Sequence, residues 1–559
     1  MSDSSDSSPA PNPGANVPEA EAAAASTVKE TSRSPRGKAG LVSIAIMCSR
    51  VLGLVRDVVL GGLFGGSRAM DAFMVAYRTP NMLRDLFAEG ALSTAFITTL
   101  SKTLKTDGDA AAWTLARKMI TLVSVFMTTL TIICMILVPI IVRIMALGWT
   151  DDPAQIELTI HLARIMYPFI ALISLAAIVM GMLNAKDVFF VPAISSSFFN
   201  LFSIISGIVI GYRMDPTWGP QAMTGFAIGV VIGGLAQLGI QLPALHKIGF
   251  RFFPDFRWKD SGVKKILSLM GPAIIAGGAV QAGVLLNTFF ASFLETGSVT
   301  YLQFSFRLMQ LPIGVFGVAV ATVTLPAVSR AATEGISPEF RSTLSRGVRL
   351  VLLLTMPSAL GLALLAEPII SVVWQRGNFS LADTLAVAGA LRCYAIGLCF
   401  YAGTKVIQPA FYSIDKKWVP MFVSLLAIAV NAGLNSVWVF VLKLDHTYLA
   451  LSTAIGSMVN FTILYILMRK FAGNFHTQKL VSTFLRLAFA CAALVSVILA
   501  ARFTILANWQ ELAFHFKLLN LCVTIGVAAA FYFVTAKILK VEEMDELASM
   551  IQRRRRKKS

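Results

Sequence analysis

The chain has 559 residues, 56% hydrophobic and only 14% charged, with a formal net charge of +18. A soluble domain carries about 25% charged residues, so this composition and a mean hydropathy of +0.72 describe an integral membrane protein. The basic residues are split among short loops rather than gathered on one folded face, which excludes a nucleic-acid partner. Cys48, Cys134, Cys393, Cys399, Cys491 and Cys522 all fall in apolar runs with no CxxC or Cys/His spacing. A disulfide framework, a metal site and a bound cofactor are therefore not expected.

Residues 1–38 are rich in Ser, Ala, Pro and charge and are expected to form a disordered cytoplasmic tail. They hold no apolar h-region, so the first helix is expected to act as an uncleaved insertion signal. A span needs about 20 apolar residues. Fourteen such segments are predicted, near 41–64, 71–100, 119–149, 156–184, 189–212, 219–244, 264–294, 299–329, 346–374, 381–412, 418–442, 447–469, 479–503 and 514–538. The expected fold is all-α: a six-helix lobe over 39–245, an interfacial loop over 246–263 and a second six-helix lobe over 264–472. A helix pair over 473–540 and a basic cytoplasmic tail over 541–559 follow.

The loops indicate orientation. One alternate set carries Lys102, Lys105, Arg117 and Lys118, then Lys186, then Lys247 to Lys265, then Arg330 to Arg349, then Lys416 and Lys417, then Arg469, Lys470 and Lys479. The other set offers about one basic residue per loop: Arg68, Arg213, Arg376, Lys443, Arg502 and Lys517. Positive charge stays cytoplasmic, so both termini are expected inside. The stretch HKIGFRFFPDFRWKD (246–260) alternates aromatic and basic residues, as an interfacial segment does.

The chain also repeats. MLNAKDVFFVPAISSSFFN (182–200) resembles FYSIDKKWVPMFVSLLAIAVN (411–431), with a short basic turn and Val-Pro leading into an apolar helix. LFAEGALSTAFITTLSK (86–102) is a looser match to GVFGVAVATVTLPAVSR (314–330). Equivalent loops share a side, so two parallel bundles with a site between them are expected.

The spans carry charges. Arg50, Arg56, Asp57, Arg78, Arg84, Asp85 and Glu89 lie within residues 48–96. A charge at mid-bilayer costs at least about 2.5–3.5 kcal/mol and usually faces a wet cavity or a partner. Arginine stays charged and forks bidentately onto phosphate oxygens. Arg307 lies in the equivalent helix of the second half and could face Arg50, Arg56 and Arg84 across a cavity. These cations against Asp57 and Glu89 leave such a cavity net positive. Lys405 reads equally as site or structure, whereas Arg164, Arg392 and Glu367 read as structural. Gly271-Pro272, Pro312 and Pro409 are expected to break helices. No GxSxG, HExxH or P-loop is present, so the chain is not read as an enzyme.

SRVLGLVRD, DAFMVAYRTPNMLRDLFAEGALSTAF, the run from NTFFASFLETG to TLPAVSR, and PAFYSIDKKWVP resemble the MurJ/MviN family of the multidrug/oligosaccharidyl-lipid/polysaccharide exporter superfamily. The resemblance covers about residues 40–540. It implies two six-helix lobes plus a final pair forming a groove for a polyprenyl tail. The implied activity is that of a flippase, carrying lipid II (undecaprenyl-pyrophosphate-linked disaccharide-pentapeptide) from the inner to the outer leaflet of the bacterial cytoplasmic membrane. It implies membrane lipids and cell-wall synthesis proteins as further partners. The family's cavity arginines map onto Arg50, Arg56, Arg84 and Arg307, its acids onto Asp57 and Glu89, and a further basic position onto Arg78. Two positions depart from the pattern: Phe306 stands where an acid usually precedes the last arginine, and Asp85 where a second basic residue is common. Gln281, Asn287, Asn431 and Asn435 supply no carboxylate, so sodium coupling is not supported. A drug/cation antiporter of the same fold would need an acidic, aromatic cavity. The other readings are another polyprenyl-linked oligosaccharide flippase, a membrane glycosyltransferase and a scaffold.

Overall fold

The computed structural model describes residues 36–86, 92–333 and 336–545. The expected disorder of residues 1–35 and the arginine-rich end of the tail lie outside them. The described residues form helices and turns, with no strand. The first half comprises α1 (Arg36–Phe64), α2 (Arg68–Leu83), α3 (Ser93–Thr106), α4 (Gly108–Met145), α5 (Pro153–Met166), α6 (Pro168–Ala185), α7 (Phe190–Met214), α8 (Ala222–Gly239) and α9 (Leu242–Lys247). The second comprises α10 (Ser261–Ala291), α11 (Ser298–Pro312), α12 (Val318–Thr333), α13 (Pro338–Leu364), α14 (Ala366–Trp374), α15 (Leu381–Ser413), α16 (Trp418–Ser436) and α17 (His446–Ala472). The final pair is α18 (Thr477–Phe503) and α19 (Phe514–Ile538).

Eleven helical spans among the described residues are long and apolar enough to cross a membrane. α1, α2, α3 and α10 are helices within the three other expected spans, of which residues 87–91 lie outside the described residues. Several spans are jointed. A five-residue π-turn, Ile313–Gly317, follows Pro312 and separates α11 from α12. Proline withholds a backbone donor and crowds the preceding turn, and the wider π-turn absorbs both. Pro272 and Pro409, expected to break helices, instead sit inside continuous ones. Each removes one intrahelical bond, a loss that helices surrounded by other helices tolerate.

Helices pack within each half first: α7 on α8, α1 on α7 and α2 on α5, then α15 on α17, α13 on α15 and α16 on α17. The α7/α8 contact depends on glycine. A Cβ on Gly225 would sit 2.2 Å from the Gly211 nitrogen, so the two backbones touch directly. The final pair packs on itself and on α13. The halves meet through α2 on α11, α1 on α14, and α3 and α4 on α10.

The repeat is visible in the backbone. α6 ends with the Val188 N–H donating to Leu183 O at 2.9 Å, and α15 with Lys416 N–H donating to Phe411 O at 2.9 Å. Between them Asp187 and Asp415 both take left-handed conformations, φ 59° and 56°. This closure caps a helix C-terminus, and an aspartate tolerates the αL position better than most side chains. Each aspartate precedes Pro192 or Pro420 by five residues, so the sequence match is also a structural one.

The loops of the two alternate sets gather at opposite ends. At the basic-rich end Lys118 pairs with Asp260 (2.7 Å), Lys186 with Asp109 (2.7 Å), and the Arg117 Nε donates to Arg251 O (2.9 Å). The segment between α9 and α10 lies there against α4 and exposes Phe252, Phe253 and Phe256. Arg257 and its own backbone N–H hold the Asp255 carboxyl well below the usual carboxylate range, so it stays charged on that surface.

At the basic-poor end the halves are stitched together. Asn378 N–H donates to Gly62 O at 2.8 Å and Gly148 N–H donates to the Ser292 hydroxyl at 3.0 Å, while within the second half the Tyr301 hydroxyl donates to Asp383. Asp71, 2% exposed on α2, accepts from the Gly297 N–H (2.6 Å), the Thr300 N–H (2.9 Å) and the Thr300 hydroxyl (2.6 Å). It caps α11 across the seam. Asp71→Ala would strand those donors at a cost of about 1–3 kcal/mol. Its thermal unfolding midpoint in detergent should fall below that of wild type, and Asp71→Asn, which keeps an acceptor, should fall less. Equal midpoints for all three proteins would show that the cap contributes nothing.

Candidate functional site: an arginine cluster between the halves

The site begins with one carboxylate. Asp57 is 3% exposed on α1 and is held by two guanidinium groups. Arg56, its neighbour in sequence, donates from Nε and Nη2 at 3.4 Å. Arg307, from α11 in the other half, forms an ion pair with the second oxygen. Arg56 also lies over the rings of Tyr77 (5.5 Å) and Phe199 (5.8 Å), whose faces favour a cation with little water around it.

The surrounding residues follow from helical spacing. Arg50, Gly53 and Asp57 recur at three- and four-residue steps and share one face of α1. Gly53 leaves room for Arg307, whose Nη2 lies 3.4 Å from where a Cβ would stand. Asn200 of α7 reaches the same spot and donates to Ser49 O at 3.3 Å. Arg50 is exposed and lies beside Gly314 in the π-turn, its Nη1 3.5 Å from a Cβ position there. The π-turn thus sits against the arginine face of α1. Its far side, at Gly317, touches Ala402 of α15, one turn before the half-buried Lys405.

A second group lies on α2 and just beyond it. Arg78 donates to Gln303 of α11 and to Val284 O of α10 at 3.4 Å. Gln303 precedes Arg307 by one turn, so Arg78 and Asp57 bind the same face of α11. Arg84 pairs with Asp85 at 2.8 Å, and the other Asp85 oxygen accepts from Gln281 of α10 at 3.4 Å. Glu89 lies outside the described residues. Phe306 packs on Tyr394 with ring centroids 5.3 Å apart, so the position beside Arg307 carries no charge. Among the described residues five arginines and two carboxylates make up these two groups, and the balance is positive.

The structure thus brings Arg50, Arg56, Asp57 and Arg307 together and ties Arg78 to them through α11. Arg84 forms a neighbouring group against α10. Sequence reading missed Tyr77, Phe199, Asn200 and Gln303. Tyr77 and Gln303 fall within the family-like stretches, and Asn200 is the asparagine that ends the repeated stretch 182–200. Asn287, Asn431, Asn435, Ser452 and Thr453 form a separate network. Asn431 donates to the Ser452 hydroxyl at 2.9 Å and Asn435 to Asn287 at 3.2 Å, so neutral amides satisfy one another there.

The described residues form a helical membrane chain with an arginine cluster at the interface of its two halves, the class of site expected of a two-bundle transporter. The family model described as "Lipid II flippase MurJ" matches residues 60–521. A Vibrio cholerae protein named "Probable lipid II flippase MurJ" is 35% identical over 515 residues, 90% of this chain and 96% of its own. The Bdellovibrio bacteriovorus protein of the same name is 33% identical over 94% of this chain and 98% of its own. A solved structure titled "Lipid II flippase MurJ, inward closed conformation" superposes with a TM-score of 0.69 at 25% identity, covering 88% of this chain and 98% of that one. An inward-facing multidrug MATE transporter of the MOP superfamily gives 0.65 at 14% identity over 77% of this chain and 96% of its own, a likeness of fold alone. The chain belongs to the lipid II flippase MurJ family, whose members are transporters rather than enzymes.

The space at Gly53 can be tested. A Cβ there meets Arg307 at contact distance, whereas a longer side chain would occupy the place of the guanidinium. Gly53→Ala should support growth of cells depleted of the native protein, and Gly53→Leu should reach the membrane at the same level without supporting growth. Full growth on Gly53→Leu would show that the position of Arg307 beside α1 is not required.

Proposed function

We propose that the protein carries lipid II from the inner to the outer leaflet of the bacterial cytoplasmic membrane, with the pyrophosphate held by Arg50, Arg56, Arg84 and Arg307. The observation that supports this most is the convergence of Arg56 and Arg307, from opposite halves, on the one buried carboxylate of Asp57. A pyrophosphate brings oxygens that compete with Asp57 for both guanidiniums, and bidentate arginine–phosphate contacts are among the stronger charge-assisted bonds. Arg78 braces α2 against α10 and α11 and positions the others. Glu89 and Lys405 complete the set, one as a balancing acid and the other as a further cation on α15. The groove for the polyprenyl tail falls to α18 and α19.

The basic-rich end is cytoplasmic in this reading and both termini lie inside. The residues 39–245 and 264–472 act as two lobes that rock about the arginine cluster, with the 246–263 segment joining them at the inner surface. The seam at the basic-poor end is then a closed outer gate. Part of the cavity charge is neutralised when the pyrophosphate binds, and the empty, positive site is what the membrane potential acts on, at about 2.3 kcal/mol per charge per 100 mV.

Export is the test. In cells depleted of the native protein, Arg50→Ala, Arg56→Ala and Arg307→Ala should each leave lipid II in the inner leaflet at normal protein levels. The lysine variants should be impaired as well, since an ammonium cannot fork. Normal export by all three alanine variants would refute the assignment. Orientation has its own measurement. In a cysteine-free background Asp151→Cys, at the basic-poor end, should label from outside intact cells and Lys416→Cys should not. The reverse pattern would invert the topology.

A further inference from the structure

The basic-poor end carries few cations, yet several of them gather in one place. Of Arg68, Arg213, Arg376, Lys443, Arg502 and Lys517, three converge on the short helix α14, where Arg392 of α15 joins them. Glu367 of α14 accepts from Arg392 and, at 2.9 Å, from Arg502 of α18. One turn on, the Ser371 hydroxyl accepts from the Lys517 ammonium of α19 at 3.3 Å. Arg376 follows, its guanidinium 5.5 Å from the Phe514 ring centroid, and Lys517 stands the same distance from Trp509.

Four cations meet one carboxylate along this strip. An assembly pin between α14 and α18 needs one arginine and one acid. The second arginine, and a lysine bound to a neutral hydroxyl, go beyond that need and run against the usual scarcity of outward positive charge. The Arg392 side chain remains 42% exposed, and that of Arg502, whose Nη1 also donates to Leu364 O at 3.2 Å, 32%, against 15% for Glu367, so both guanidiniums keep an exposed face. The strip also has a defined position. α14 packs on α1, where Gly62 lies against the Arg376 side chain, and on α19. It therefore bridges the outer end of the arginine-bearing helix and the lipid-facing pair.

We propose that Arg376, Arg392, Arg502 and Lys517 form an exit subsite for the pyrophosphate of the polyprenyl lipid on the outer side, next to the helices that hold its tail. This rests on the flippase reading above. The charge excess suits a dianion, and its spread along α14 suits two linked phosphates rather than one.

The experiment uses the full chain in nanodiscs and native mass spectrometry, with undecaprenyl pyrophosphate as probe and phosphatidylglycerol as competitor. Arg56→Ala silences the central site. In that background Arg502→Gln with Lys517→Gln should weaken the remaining binding about tenfold, the loss of two charge-assisted contacts. Glu367→Gln, which frees both guanidiniums, should strengthen it. A structural pin predicts the opposite for Glu367→Gln, a lower unfolding midpoint with no gain in binding, and this variant decides if the double variant fails to fold. Unchanged binding in both variants would overturn the subsite. Displacement by equimolar phosphatidylglycerol would also overturn it, by showing a general anionic-lipid surface. Loss of Arg56-dependent binding from the wild-type protein would count against the central flippase site alone.

Discussion

Asp57 is the constraint on which the rest depends. It is a buried carboxylate in a membrane helix, and such a group is tolerable only when paired. Its partners come from both halves, Arg56 on its own helix and Arg307 on α11. The pairing fixes how α1 and α11 face each other and makes both guanidiniums rigid before any ligand arrives. Breaking it by removing one partner leaves an unpaired buried charge, which is worth several kcal/mol against the fold. Under the proposed function, a ligand anion shares the two guanidiniums with the carboxylate, so that Asp57 is never left unpaired. The same contact joins the halves and marks the proposed substrate site.

The two ends of the molecule complement this centre. At the basic-poor end, backbone and side-chain bonds cross between the halves at Gly62–Asn378, Asp71–Gly297 and Gly148–Ser292. Each is a short, directional contact, so the seam is held by specific bonds as well as by apolar packing. At the other end, the links between first-half helices and the 248–260 segment hold a connecting strap, and α3 and α4 pack on α10.

Much of this was legible in the sequence because charge in an apolar run is rare and costly. Arg50, Arg56, Asp57 and Arg307 stood out for that reason, and the structure does bring them together. The repeat was legible at its turns, where Asp187 and Asp415 proved to share a backbone conformation. Amides and aromatics were not legible, because Asn200, Gln303 and Phe199 look like ordinary members of apolar helices until a neighbour gives them a role. The helix joints were also hidden. A proline signals a lost hydrogen bond but not whether neighbours make the loss good, so Pro312 leads into a π-turn while Pro409 does not interrupt α15. Glu367 and Arg392 were read as structural; the contacts of Arg502 and Lys517 with α14 give that pair its context.

Fold and site carry different information here. The MATE-like neighbour shares the helical arrangement at 14% identity, and an arrangement shared at that level says nothing about cargo. Cargo is set by the sign of a few buried groups. A cavity that holds organic cations must keep carboxylates charged in a dry interior, and each arginine added beside them would lower the affinity. Arg50, Arg56, Arg78 and Arg307 reverse that field. Neutral residues at Phe306 and in the Asn287–Asn431–Asn435 network add no acid to counter it. Arginine is also the one cation that cannot escape by losing its proton, so the field persists through the cycle even when the cavity closes and dries. Under the proposed function, selectivity for an anionic headgroup is thus a property of a few side chains mounted on a helical arrangement that the MATE-like neighbour shares.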